Sequence, residues 1–121
     1  MNITKPTLIL DEAKCKANIA FMVEKAKTHN VVLRPHFKTH QSHFIADIFR
    51  RKGVSKCTVS SVGMAQYFAM DGWDDITIAF PANVLEVDEM NELAAKIGLN
   101  ILVDSVEKVK LLAKTISSKI D

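Results

Sequence analysis

The stretch Val31-Val32-Leu33-Arg34-Pro35-His36-Phe37-Lys38, followed by Thr39-His40, alternates in character residue by residue. Leu33, Pro35 and Phe37 share one parity, and Arg34, His36 and Lys38 share the other. Successive side chains of a strand point to opposite faces, so the run predicts a strand over Val31–Lys38 with an apolar face and a cationic one. Cations lined up on the inner face of a sheet cost roughly several kcal/mol each when unpaired. An anionic cofactor or substrate would compensate them. A solvated face on an edge strand is the other reading of the same periodicity.

Outward from this run, strand-like and helix-like segments take turns. On its N-terminal side, Pro6–Asp11 is a short apolar strand, with Asp11 placed to cap a helix over Glu12–His29. Ile19, Met22, Val23 and Ala26 fall at helical spacing on that helix, and His29 ends it. On the C-terminal side, Phe44, Ile45, Ile48 and Phe49 mark one face of a short helix closed by Gly53. Cys57–Ser61 is β-rich, Val62–Met70 is a helix ending at Gly72, and Asp75–Phe80 is a strand. Asn83 and Glu86 have the spacing of a capping box for a helix bearing Val87, Met90, Ala94 and Ile97, ended by Gly98. Leu99–Asp104 reads as another strand, and Val106, Val109, Leu112, Ala113 and Ile116 stripe a last helix. Gly63 follows a strand, where a missing side chain lets backbone approach a ligand or simply makes a turn.

Strands that alternate with helices at this rhythm imply an α/β fold with a parallel sheet and right-handed crossovers. An open doubly wound sheet usually has a glycine-rich turn after its first strand, and none is present. The expectation is therefore a parallel (β/α) barrel. A full barrel takes about 250 residues, and these 121 supply about the first half of one. A half-barrel leaves strand edges unpaired, so it is expected to be completed by further chain or by association as a homodimer.

Composition narrows the class. The 48% of apolar residues is enough for a core, and a formal charge of +2 gives no argument for nucleic acid. No apolar run approaches the roughly 20 residues of a membrane span, which leads us to expect a cytoplasmic protein without membrane or nucleic-acid partners. Cys15 and Cys57 lie far apart, as expected of two small buried or half-buried thiols in a reducing compartment.

Active sites of barrels lie at the C-terminal ends of the strands, the height at which Lys38 stands. Ser60 and Ser61, Pro81 to Asn83, and Asp104 with Ser105 fall at the other strand ends, where each is equally well explained as a helix cap. His36, His40 and His43 do not have the spacing of a metal triad on one helix, and no residue is assigned to a metal. Tyr67 and Trp73 read as packing residues of the helical layer.

From Pro6 through Ser105 the chain resembles the family of D-threonine aldolases and eukaryotic-type D-serine dehydratases, fold-type III pyridoxal-phosphate (PLP) enzymes. The resemblance rests on Thr4-Lys5-Pro6-Thr7-Leu8-Ile9-Leu10-Asp11, on Leu33-Arg34-Pro35-His36-Phe37-Lys38-Thr39-His40, on Asp74-Asp75-Ile76-Thr77-Ile78-Ala79-Phe80, and on Ile101-Leu102-Val103-Asp104-Ser105. Arg-Pro-His-x-Lys-Thr-His is its specific part. The resemblance implies that residues 1–121 are the N-terminal portion of an alanine racemase-like barrel domain. It implies that Lys38 is the catalytic lysine that holds PLP as a Schiff base, with Arg34, His36, His40, Ser60 and Asp104 around the cofactor. The implied reaction is that of a lyase on a D-3-hydroxy amino acid, with retro-aldol cleavage to glycine and an aldehyde. D-serine dehydratase, amino-acid racemase and a PLP-binding module without turnover are the alternatives. It also implies a divalent metal, zinc or manganese, whose ligands lie outside this chain. Gln41 stands where the family commonly has lysine, and Met64 and Gln66 where it has acidic residues.

Overall fold

The computed structural model describes residues 2–118 and 120, and the chain divides into two units, up to Leu33 and from Arg34 onward. The first unit is built on helix α1 (Glu12–Thr28). Asp11 caps it as expected, its side chain accepting from the Lys14 amide, and His29 is the C-terminal cap. Ile19 and Val23 are its buried positions, whereas Met22 is exposed, so the apolar stripe is narrower than its spacing predicts. Pro6–Asp11 is not a strand. Its residues are exposed and have no ladder partner among the described residues, and a run of β-formers without a neighbour has nowhere to send its backbone hydrogen bonds.

The second unit is a parallel three-stranded sheet with helices between its strands. Its elements are α2 (His43–Arg50), β1 (Cys57–Val59), α3 (Val62–Met70), β2 (Asp75–Pro81), α4 (Val87–Ala94), β3 (Gly98–Leu102) and α5 (Val106–Thr115). The strands lie in the order β1-β2-β3, each beside its sequence neighbour. Ser42, Ser61 and Ser105 cap α2, α3 and α5 through their hydroxyls, which satisfy amides that a helix start leaves unpaired. Asn83 caps a 3-10 turn, Val84–Glu86, rather than α4, and no capping box forms because the Glu86 side chain makes no cap bond. Gly53 and Gly72 end their helices with φ of +83° and +84°, the left-handed geometry a C-terminal glycine supplies. Gly98 differs from expectation. It opens β3, where its amide donates to the Asp74 carbonyl at 2.8 Å.

Register explains the core. Cys57 pairs with Ile76 and Ile76 with Leu99, and all three are essentially inaccessible, packed on the helical side. Val59 and Ile78 form the next buried layer. The strand expected over Val31–Lys38 contracts to a single bridge, His36 to Thr58, and one bond from the Thr58 amide to the Pro35 carbonyl at 2.9 Å. Pro35 has no N–H to give to a ladder. A 3-10 turn begins at Phe37 and ends the extended run there. On α5 only Leu112 of the predicted stripe is buried, with Val106 and Val109 exposed. No helix among the described residues is long and apolar enough to cross a membrane.

Candidate functional site

Alternation holds as far as His36 and then stops. Bridge register puts His36 beside Thr58, Thr58 beside Thr77, and Thr77 beside Asn100. These four half-buried polar residues form a row on the face of the sheet opposite the apolar core. Arg34 and Asp75 lie on the same face one step lower, at the N-terminal ends of the strands. There Arg34 Nη2 donates to Asp75 Oδ1 at 2.6 Å, while Nη1 reaches the Cys57 and Asp75 carbonyls at 3.2 and 3.3 Å. Lys56 Nζ is 2.7 Å from Asp75 Oδ2. Partial burial pulls the Asp75 carboxyl upward, but hydrogen bonds from Lys56 and Arg34 outweigh it and hold the group below its ordinary value. The arginine expected beside the lysine therefore has its charge matched at the opposite end of the sheet. On the apolar side of the sheet, burial pushes the Cys57 thiol up to about 12, so it stays protonated.

Lys38 sits in the 3-10 turn Phe37–Thr39, one residue beyond the point where strand geometry ends. Its side chain is exposed and makes no ion pair among the described residues. The turn is held from below and behind. Phe37 is completely buried, with ring centroids 4.8 Å from both Phe68 and Trp73 and 5.5 Å from Phe49. His40 joins this cluster 4.7 Å from Phe37. His36 Nδ1 accepts from the Lys38 amide at 3.3 Å, and His40 Nδ1 accepts from the Ser42 amide at 3.2 Å. An imidazole that accepts at Nδ1 is neutral or must become so, with its proton on Nε2. Burial, and for His36 also the charge of Lys38, lowers both histidines below the ordinary range and favours that form. Arg34 is thus matched away from Lys38, and the two histidines beside the turn are biased toward their neutral form.

The remaining expected residues stand at the same ends of other strands. Ser60 follows β1 and, with Ser61, Asn83 and Glu86, lines a cavity of about 200 Å³ over Ile78 and Ile101. Asp104 follows β3, is exposed, and pairs with Lys108 at 2.9 Å. The hydrogen bond from Lys108 holds its carboxyl below the ordinary range. Neither Lys38 nor Asp104 lines the Ser60 cavity. A side chain at Gly63 would meet nothing within 4 Å, so that glycine is not demanded by a close approach within the chain. Trp73 is buried as expected, whereas Tyr67 is partly exposed and stacks on His43 with centroids 3.7 Å apart. Among the described residues no group of three or more His, Cys, Asp or Glu is placed to hold a metal ion. Thr58, Thr77, Asp75 and Asn100 were not candidates from the sequence. Their signal was parity within each strand, which has meaning only once the register is known.

No family model matches the sequence. The chain is 30% identical over 114 residues to the D-threo-3-hydroxyaspartate dehydratase of Delftia sp. (strain HT23), spanning 93% of this chain and 30% of that protein. The crystal structure of D-threonine aldolase from Filomicrobium marinum superposes with a TM-score of 0.90 at 26% identity, over 97% of this chain and 33% of that one. The solved Delftia dehydratase superposes with a TM-score of 0.87 at 30% identity, over 93% of this chain and 30% of that one. A variant of that dehydratase has also been solved in a metal-free form. An alanine racemase-like protein from Idiomarina loihiensis shares the fold, with a TM-score of 0.77 at 22% identity over 89% of this chain and 31% of that one. The chain thus resembles the D-threonine aldolase and D-3-hydroxyaspartate dehydratase group in sequence and in fold, and it spans about a third of the length of these relatives.

Proposed function

We propose that this chain is the cofactor-anchoring part of a PLP-dependent lyase acting on D-3-hydroxy amino acids, with Lys38 as the anchor. One observation carries the reading: a lysine without an ion-pair partner among the described residues stands at the strand ends, directly beyond a polar row on a face that barrels turn inward. A cofactor of this kind supplies an aldehyde for the lysine and a ring that withdraws electrons from the substrate's Cα. Everything else falls to the protein. Lys38 carries the amine, with no counter-ion among the described residues that would have to be displaced. His36, Thr58 and Thr77 present ring nitrogen and hydroxyls to a polar ring or carboxylate. Arg34, bound to Asp75, acts as the floor of this face rather than as a direct ligand. Ser60 and, across the rim, Asp104 are the further contacts we assign, and His40 acts from behind. The strand order β1-β2-β3, extended by the His36 bridge, fits the opening of a (β/α) barrel, with 1–121 as its N-terminal portion.

The two relatives split the reaction. Cleavage of Cα–Cβ, as in a D-threonine aldolase, yields glycine and an aldehyde. Elimination of the β-hydroxyl, as in the dehydratase, yields a keto acid and ammonia. We favour the lyase class as a whole over a racemase or a binding module, because the aldolase and the dehydratase, at 26% and 30% identity, act on 3-hydroxy amino acids by name. A divalent metal would be held by residues outside this chain. The whole enzyme is read as a cytoplasmic homodimer with no nucleic-acid partner.

The test begins with cofactor alone. PLP is expected to give a lysine-bound absorption band that borohydride fixes on Lys38 and that vanishes completely in Lys38→Ala. A band unchanged in that variant would overturn the assignment of the anchor. With the whole protein, D-threonine and D-threo-3-hydroxyaspartate then separate cleavage from elimination by product.

A further inference from the structure

We infer that His36 and His40 are a pair of positioning residues that hold the Lys38 turn by accepting backbone amides on either side of it. The inference rests on the reading of Lys38 as the anchor. The turn is unusual at Gln41, whose φ is +46° although it is not glycine. A left-handed backbone is strained for a non-glycine residue and persists only where surrounding bonds enforce it. Those bonds can be named. The Gln41 amide donates to the Phe37 carbonyl at 2.9 Å, and the His40 amide donates to the same oxygen at 3.3 Å. His40 Nδ1 then reaches over Gln41 to accept from the Ser42 amide. His36 Nδ1 accepts from the Lys38 amide itself, while Thr39 Oγ1 donates to the His36 carbonyl at 3.2 Å.

The two imidazoles thus brace one short loop, His36 at its entry and His40 at its exit. They differ in how they are anchored. His36 is tied to the sheet through its bridge to Thr58. His40 is wedged among Phe37, Phe49 and Phe68, with a buried Nε2 that has no partner among the described residues. Neither ring needs to touch a cofactor to do this. Their effect on Lys38 is to fix where its backbone lies, so that the long side chain swings from a set origin. Rotating a left-handed Gln41 back to an ordinary conformation would redirect the chain on which Lys38 sits.

Two measurements test this, and the first uses no cofactor. Amide hydrogen exchange at Ser42 is expected to quicken about tenfold in His40→Phe, which keeps the ring but loses the acceptor. His40→Asn, which keeps an acceptor near Nδ1, should stay closer to the parent. His36→Leu and His36→Asn make the same comparison at the Lys38 amide, in a half-exposed position where folding is not at stake. The second is the rate at which PLP and borohydride label Lys38 relative to the other lysines. This ratio should fall in His40→Phe and His36→Leu and recover when Gln41→Gly, which takes a positive φ without strain, is added. Parent-like exchange and labelling ratio in both variants, or asparagine no better than phenylalanine and leucine, would overturn the bracing role. If Lys38 of the parent is not labelled preferentially, the anchor reading fails, and the exchange data still judge the bracing role by itself.

Discussion

The two ends of the polar face treat their charges in opposite ways. At the N-terminal end, Arg34 and Lys56 converge on Asp75, so two cations are held by one carboxylate and two main-chain carbonyls. At the C-terminal end, Lys38 has no carboxylate among its described neighbours, and the histidines that flank it are held toward the neutral form. A partly buried charge that is matched stiffens a structure, whereas an exposed and unmatched amine is open to a ligand. On the reading proposed above, the lower end is scaffold and the upper end the place for chemistry, although both draw on the same alternating run of sequence.

Three experiments would break or sharpen this contrast. The largest effect is expected at Phe37, which supports the upper end from behind. Phe37→Ala removes a wholly buried ring from a five-ring cluster and should cost about 3–5 kcal/mol in urea unfolding. A loss below about 1 kcal/mol would mean the turn does not depend on that cluster. Next is Asp75→Asn at the lower end, which leaves Arg34 and Lys56 without their carboxylate. Arg34 and Asp75 are about a quarter exposed and Lys56 more than a third, so solvent screens part of the loss and about 1–3 kcal/mol is expected, with less at high salt.

The smallest and most discriminating effect is the pH at which each end loosens. His36 and His40 have folded values lowered below 6.5. Their contribution is present above that value and is lost as pH falls through the lowered folded values. Asp75 is lowered below 3.8, so its contribution is present above that value and disappears only as pH falls further. Amide exchange followed from neutral to acid pH should show the Lys38 turn opening first and the Arg34 contacts later. Simultaneous opening would remove the distinction between the ends.

Much of this was legible without coordinates. The serine and aspartate caps, the two left-handed glycines, the parallel α/β rhythm and the helix Val62–Met70 follow from local rules that need only a few neighbouring residues. Reading failed where a partner strand decides the outcome. Pro6–Asp11 has the composition of a strand and no ladder, and Val31–Lys38 keeps one bridge because proline interrupts it and a 3-10 turn takes its end. The stripe on α5 has helical spacing, yet most of it is uncovered among the described residues, because spacing says which residues share a face and not what lies against it.

Lys38 marks the division most sharply. By itself the sequence determined that Arg34, His36 and Lys38 alternate with apolar residues, and that the motif around them resembles one group of PLP enzymes. Tertiary structure decided that Arg34 is matched at the lower end of the face while Lys38 stands in a turn at the upper end. Asp75, 41 residues downstream of Arg34, captures the arginine, while histidine side chains turn back to their own backbone and leave the lysine alone. The physical reason is that parity along a strand is local, whereas the neutralising partner of a charge is set by sheet register, which joins residues far apart in the chain.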